Sequence, residues 1–409
     1  MNTRNVVTVA VAGVVLAILA AGTVVLSRSL KPCRPTTFPP IEVANVTATE
    51  HFSSSYVEAR AKFLEAAQAA GGNVTSLENP DRGPGGERLF TDVALFGTPG
   101  AKRILVLGSG THGVEGFAGS GVQTGLLREG IASHVHSGMN IVMIHAINPY
   151  GMAHLRRFNE DNVDLNRNFV DHAEPASPNP GYEALASMIA PRSMSFWSEA
   201  VSWIRFFWNV IRNGRTGVTQ AVTGAQYTHP KGLFYGGTFA AWSNQTIRSI
   251  AERHLSNADR IVIVDFHTGL GSFGNAEIIL NSPEDSPAYE RSVAIWGAEQ
   301  VRSTVTGESA STHLGATLKL AFPEMLPNSE VTAVSLEYGT VPILEVFKAL
   351  RAENWLHHHG GPDHPRAREI KSCLLRAFHP QSDEWEASVW KQGKEVVEQA
   401  LDWLNHSTG

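Results

Sequence analysis

The chain has 409 residues, 43% hydrophobic and 18% charged, a balance that is ordinary for a folded enzyme and sufficient for a large core. Its formal net charge of -6 provides no concentrated basic face of the kind nucleic-acid binding needs, so nucleic acid is not expected as a partner. Two cysteines, Cys33 and Cys373, permit one bridge but neither a disulfide framework nor a thiolate metal site, so any metal must be held by His, Asp or Glu.

In chain order, Val6–Leu26 is apolar or small throughout and uncharged, long enough to cross a bilayer as a helix. Apolar residues continue past Ala20-Ala21-Gly22, which favours an uncleaved anchor over residues 1–30 rather than a signal peptide. The expectation is a single-pass membrane protein. Arg4 on one side against Arg28, Lys31 and Arg34 on the other leans toward a cytosolic body. Residues 31–50, with Pro35, Pro39 and Pro40, read as a linker, and the folded body is expected over residues 51–409. Ser55 to Ala70 has helical spacing, and the Gly- and Pro-punctuated stretch Asn79 to Glu87 reads as a loop.

Four short runs rich in Val, Ile and Leu follow: Ile104 to Leu107, Ile141 to Ile144, Ile261 to Val264, and Val331 to Leu336. Separated by helical segments, they predict an α/β fold, a mixed, largely parallel sheet flanked by helices. Polar residues stand at the end of each: His112 and Glu115, then Asn148-Pro149, then Asp265-Phe266-His267, then Glu337-Tyr338-Gly339. Ligands of open α/β sheets bind beyond the carboxyl ends of the strands, so these residues are expected to converge. His112 and Glu115, three positions apart, need a third ligand to hold a catalytic zinc with one open position, and His267 is the natural one. Alone, a His-x-x-Glu pair is more often a solvated pair on a helix. Gly108, Gly110, Gly113 and Gly116 suit a tight turn that passes close to a bound group. Asp265, two residues before His267 on the same strand face, is placed to orient its imidazole.

The 100 steps from Arg167 to His267 exceed what a crossover needs, and a helical insertion is expected at about residues 172–235. Within it, Ser195 to Arg212 reads as a helix rich in Trp and Phe. Packing on the sheet is the plainest account of it; a cleft wall or lid, or an interfacial helix at a bilayer, are the alternatives. His357-His358-His359 reads as an exposed polar turn, because consecutive side chains cannot face one ligand.

The motifs His-Gly-Val-Glu, Asn-Pro-Tyr-Gly, Asp-Leu-Asn-Arg-Asn-Phe, Asp-Phe-His-Thr-Gly and Leu-Glu-Tyr-Gly-Thr, in this order, resemble the zinc carboxypeptidase superfamily. Gly232 to Gly237 and Arg351-Ala352-Glu353-Asn354-Trp355 suggest a carboxypeptidase-like branch within it, and aspartoacylase and succinylglutamate desuccinylase form a related branch. The resemblance implies one zinc ion on His112, Glu115 and His267, with Glu337 as general base and acid and Arg157, rather than Arg156, as the oxyanion donor. It further implies that Asn166 and Arg167 hold the substrate carboxylate and that Asp164 bonds to His112. Tyr227, Tyr235 and Tyr338 are candidates for a substrate-contacting phenol, and Tyr235 is taken as substrate-binding. The function implied is hydrolysis of an amide or peptide bond beside a free carboxylate, with peptides or N-acyl amino acids as substrates. Family analogy places the catalytic body outside the cytoplasm. Aspartoacylase-like deacylation and a catalytically silent membrane-anchored binding protein are the competing functions.

Overall fold

The computed structural model describes residues 47–406 apart from 308, 310 and 312–314. The expected anchor, Val6–Leu26, and most of the linker lie outside these residues. Among the described residues no helix is long and apolar enough to cross a membrane.

One sheet contains β1 (Asn73–Arg82), β2 (Arg88–Gly97), β3 (Arg103–Ser109), β4 (Met139–His145), β5 (Arg260–Phe273), β6 (Ala276–Leu280), β7 (Val301–Ser303) and β8 (Glu330–Gly339). Their spatial order is β1-β2-β4-β3-β5-β8-β6-β7. The four apolar runs are its adjacent central strands β4, β3, β5 and β8, all mutually parallel, while β1-β2, β2-β4 and β6-β8 pair antiparallel. The sheet is therefore mixed. Successive residues alternate between its faces. Leu105, Leu107, Val262, Val264, Val334 and Leu336 pack on one side; Ile104, Val106, Ile261, Ile263, Val331 and Ala333 pack on the other.

The first face is covered by α1 (Tyr56–Ala69), α2 (Gly116–Arg128) and further helices, the N-cap Ser55 of α1 accepting from Glu58 N. A short α3 (Pro149–Ala153) follows β4, and α4 (Pro180–Ile189) and α5 (Phe196–Thr223) form the insertion. The second face is covered by α6 (Trp242–His254) and, beyond α7 (Pro287–Trp296), by α8 (Leu318–Met325). The chain closes with α9 (Ile343–Trp355), α10 (Ala367–Phe378) and α11 (Asp383–His406). α3, α4, α5, α9 and α10 share a separate apolar cluster over the carboxyl ends of the central strands. Cys373 in α10 is buried and disulfide-bonded.

Asn79 to Arg82 are not loop, as expected, but the end of β1, with a bulge before Arg82; only residues 83–87 turn. An edge strand tolerates Pro80 because the missing amide has no partner strand to serve. The aromatic helix also runs further than its sequence pattern, to Thr223, with a kink at Gly214 (φ 72°).

Candidate metal centre

β3 ends at Ser109, and its chain turns within a few residues into α2. Gly110 makes the turn with φ 76°, a conformation that a side chain resists. Gly113 is required for a different reason from the one expected: a Cβ there would run into the backbone of Gly151 in α3, not into a bound group. Asn148 staples the two loops by capping Gly151 N at 2.8 Å and donating its own N–H to Gly110 O at 2.8 Å. His112 and Glu115 are thereby held rigidly, both almost fully buried.

β5 and β8 set the other half. His267 lies in register with Glu337 and Asp265 with Ser335, so all four side chains emerge on one sheet face. The register then shifts after Thr268. That irregularity turns two amides toward carboxylates: Thr268 N donates to Glu115 Oε2 at 3.2 Å and Leu270 N to Glu337 Oε1 at 3.0 Å.

His112, Glu115 and His267 offer donor atoms that all lie within 4.8 Å of one another. Each imidazole is gripped through Nε2, His112 by Asp164 Oδ1 at 3.0 Å and His267 by Asp265 Oδ2 at 2.7 Å. Asp265 is fixed in turn by the Thr111 hydroxyl at 3.0 Å. The other nitrogen of each ring, Nδ1, faces Glu115: His112 Nδ1 is 3.0 Å from Oε1, and His267 Nδ1 is 2.9 Å from Oε2. His112 Nδ1 makes no hydrogen bond despite that proximity. Two imidazole nitrogens converging on one buried carboxylate call for positive charge between them, a proton or a metal ion. The field shows the same demand. Burial alone would lower the His267 pKa, but Asp265 and Glu115 outweigh it and raise it to about 10. Three N and O donors with carboxylate-oriented imidazoles fit zinc.

A cavity of about 180 Å³ opens onto this group and is also lined by Arg157, Asn166, Arg167, Phe234, Asn281, Lys319 and Glu337. Arg157 pairs with Glu115 Oε1 and reaches Asp164 Oδ2 at 3.3 Å. Its Nη2, 3.0 Å from His112 Nε2, meets an N–H already given to Asp164 and adds no bond. Arg156 points elsewhere, to Glu353 at 2.9 Å and Asn162 at 2.7 Å in the interior, and does not line the cavity. Asp164 caps the turn Leu165–Arg167, accepting from Asn166 N at 3.0 Å and Arg167 Nη1 at 3.2 Å. Asn166 Oδ1 accepts from Leu318 N at 3.1 Å, and Arg167 Nη2 donates to Thr223 O at 2.7 Å. Arg167 Nε is buried without a partner. The Phe234 ring, on a residue at φ 56°, lies under both guanidinium groups, 5.9 Å from Arg157 and 5.2 Å from Arg167. Burial and then the charge of Glu115 raise Glu337 to about 7.

Tyr235 is not brought to the cavity. Its side chain packs in the core with Val163 and Leu165, and only its carbonyl serves the site, accepting from Asp164 N at 2.8 Å. Tyr227 bonds to Arg167 O at 2.8 Å, and Tyr338, next to Glu337 on the strand, faces the opposite side of the sheet. Lys319, at the start of α8, carried no signal in the sequence. Burial lowers its pKa to about 8 against the pull of Asp265 and Glu337.

The two short motifs outside the cavity have supporting work. Arg351 pairs with both oxygens of Glu199 on α5, and Glu353 holds Arg156 and Lys371. Gly232 lies against Tyr182 OH, which donates to Leu233 O at 2.9 Å. His357-His358-His359 form a π-helical turn, half-exposed or exposed, and among the described residues His112, Glu115 and His267 are the sole cluster able to hold a metal.

A family model matches residues 52–392. The chain belongs to the family described as "Protein of unknown function (DUF2817)". Comparison with curated proteins finds no match. Among solved structures the chain is similar to carboxypeptidase A from Helicoverpa armigera, at 14% identity and a TM-score of 0.43 over 90% of this chain and 82% of that one. It is also similar to an aspartoacylase family protein from Mesorhizobium loti, at 14% identity and a TM-score of 0.35 over 70% and 66%. A third likeness is a protein from Shewanella baltica described as "Putative metallopeptidase", at 12% identity and a TM-score of 0.39 over 75% and 91%.

Proposed function

We propose that the protein is a zinc-dependent hydrolase that cleaves an amide or peptide bond beside a free carboxylate. The observation that carries this reading is the pair of Nδ1 atoms aimed at Glu115, within reach of one another and in a cavity that also holds Glu337, Arg157 and Arg167. His112, Glu115 and His267 hold the metal, with Asp164 and Asp265 fixing the two rings. When bound, zinc supplies a Lewis acid that polarises the scissile carbonyl and acidifies the attacking water.

The remaining work belongs to the side chains. Glu337 accepts the proton of that water and returns it to the leaving nitrogen, a task suited to a carboxylate whose pKa sits near neutrality. Arg157 donates to the oxyanion as the carbonyl becomes tetrahedral. Arg167, with its unpartnered Nε, and Asn166 hold the substrate carboxylate. Lys319 adds a further cation to the wall and favours a substrate residue with an acidic side chain. Val6–Leu26 anchors the chain to a membrane.

Carboxypeptidase-like cleavage is the first reading. Zinc-loaded protein and its Glu337→Gln variant should be incubated with pooled peptides and N-acyl amino acids. Loss of C-terminal residues with the parent protein alone supports the reading. Product from N-acyl amino acids alone moves it to deacylation, and equal product, or none, from both proteins sinks the mechanism.

A further inference from the structure

α5 is two-sided in a way the cavity does not explain. Toward the body, Glu199, Ala200, Ser202 and Trp203 are buried; Trp203 packs edge-on against Phe206 at 5.5 Å, and Arg351 clamps Glu199. The opposite face carries Trp197, Val201, Ile204, Trp208 and Ile211, with exposures of 77, 47, 64, 64 and 77%. Their spacing of 4, 3, 4 and 3 puts them on one stripe along about 21 Å of helix. Phe196 and Phe207, half exposed, widen it. Soluble monomers rarely expose a contiguous apolar patch of this size without a use for it.

The charges on the helix identify the use. Between Phe196 and Asn213 the single acid is Glu199, buried in its pair with Arg351, whereas Arg205 and Arg212 are exposed beside the stripe. The exposed surface is thus Trp, Ile and Arg without an acid, the composition of a helix that lies in the headgroup region of an anionic bilayer. The rest of the chain agrees. Forty-six residues precede the described body, and they include the uncharged run Val6–Leu26, long enough to span a bilayer and separated from the first described residue by twenty positions of sequence.

We propose that the exposed face of α5 docks on an anionic lipid bilayer, inserting Trp197, Ile204, Trp208 and Ile211 between headgroups. Beyond the Gly214 kink the same helix carries Thr219 and Thr223 in the cavity wall, so docking sets the cavity beside the membrane surface. The proposal stands apart from the hydrolytic reading, because nothing in it requires turnover.

The full-length protein with Ile204→Cys, labelled with an environment-sensitive nitrobenzoxadiazole dye, tests it on vesicles mixing phosphatidylcholine and phosphatidylglycerol. Val57→Cys on α1, also exposed, is the control position. Docking predicts a blue-shifted emission at 204 and iodide quenching reduced at least about threefold relative to 57, with weaker protection on phosphatidylcholine alone. The readout is specific to α5: a chain that sediments with vesicles while the dye at 204 quenches as readily as at 57 is held by its N-terminus only, which overturns the proposal. Protection without vesicles also overturns it. If that protection grows with protein concentration the face binds a second copy; if it is independent of concentration, the chain covers its own helix. Ile211→Cys repeats the measurement about two turns further along, so a misfolded single variant cannot decide the result.

Discussion

Arg156 and Arg157 are neighbours in the sequence, yet their replacement by alanine should damage different properties. Arg157 lines the cavity and lies against Glu115 and Asp164, whereas Arg156 is 1% exposed and pairs with Glu353. Loss of one oxyanion donor slows turnover by about 10²- to 10³-fold. Arg157→Ala should therefore lose about that much kcat while retaining zinc, because the metal takes up the charge of Glu115 and Asp164 keeps Arg167 and His112. Breaking a buried ion pair costs about 3–5 kcal/mol, since the partner is left charged in the interior. Lys371, 2.7 Å from Glu353, softens this for Arg156→Ala. The lower end of that range, a fall of roughly 4 °C in Tm, is expected with kcat of the surviving folded protein changed far less than in Arg157→Ala. Scanning calorimetry and initial rates on the substrate found with the parent protein separate the two. Arg156→Ala losing turnover at an unchanged Tm, while Arg157→Ala keeps its activity, would refute the assignment.

The pH profile of kcat/KM should rise with pH on its acid limb, because Glu337 must be deprotonated to act; its apparent pKa lies at or below about 7, and whatever trace of turnover Glu337→Gln retains should lack the limb. Glu353 bears on stability. Burial would raise its pKa, but Arg156 and Lys371 outweigh it and hold it at about 2, against 4.5 for the ordinary group. A lowered pKa contributes stability above the unfolded value that is lost as pH falls through the folded one. Glu353→Gln should thus lose about 3 kcal/mol at pH 7 in denaturant titrations, and the gap from the parent should narrow below pH 4.5. Lys319→Met should raise KM for N-acyl dipeptides ending in glutamate about tenfold and leave those ending in leucine nearly unchanged; equal effects on both would remove Lys319 from substrate selection.

What could be read from the chain follows from where periodicity exists. Strands buried on both faces leave continuous apolar runs, so β3, β4, β5 and β8 and the residues at their ends were legible, and so was the pairing of Asp265 with His267 through strand alternation. Alternation would also have removed Tyr338, whose neighbour Glu337 faces the cavity. Tyr235 and the choice between Arg156 and Arg157 lie in loops, where no period says which way a side chain points. Lys319 comes from the first turn of a short helix whose only link to the site is tertiary, and no local pattern marks it. α5 was legible as a helix but not as two faces and a kinked continuation, because its inward partners, Arg351 and Phe347, are supplied by α9 more than a hundred residues later.

The most direct test of the metal centre is the zinc bound per chain after dialysis, by elemental mass spectrometry, for the parent protein, His267→Ala and Glu337→Gln. The account predicts about one zinc for the parent, about one for Glu337→Gln, which takes no part in holding it, and close to none for His267→Ala, which loses one of three ligands. A parent protein that holds no zinc, or a His267→Ala variant that holds as much as the parent, would contradict it.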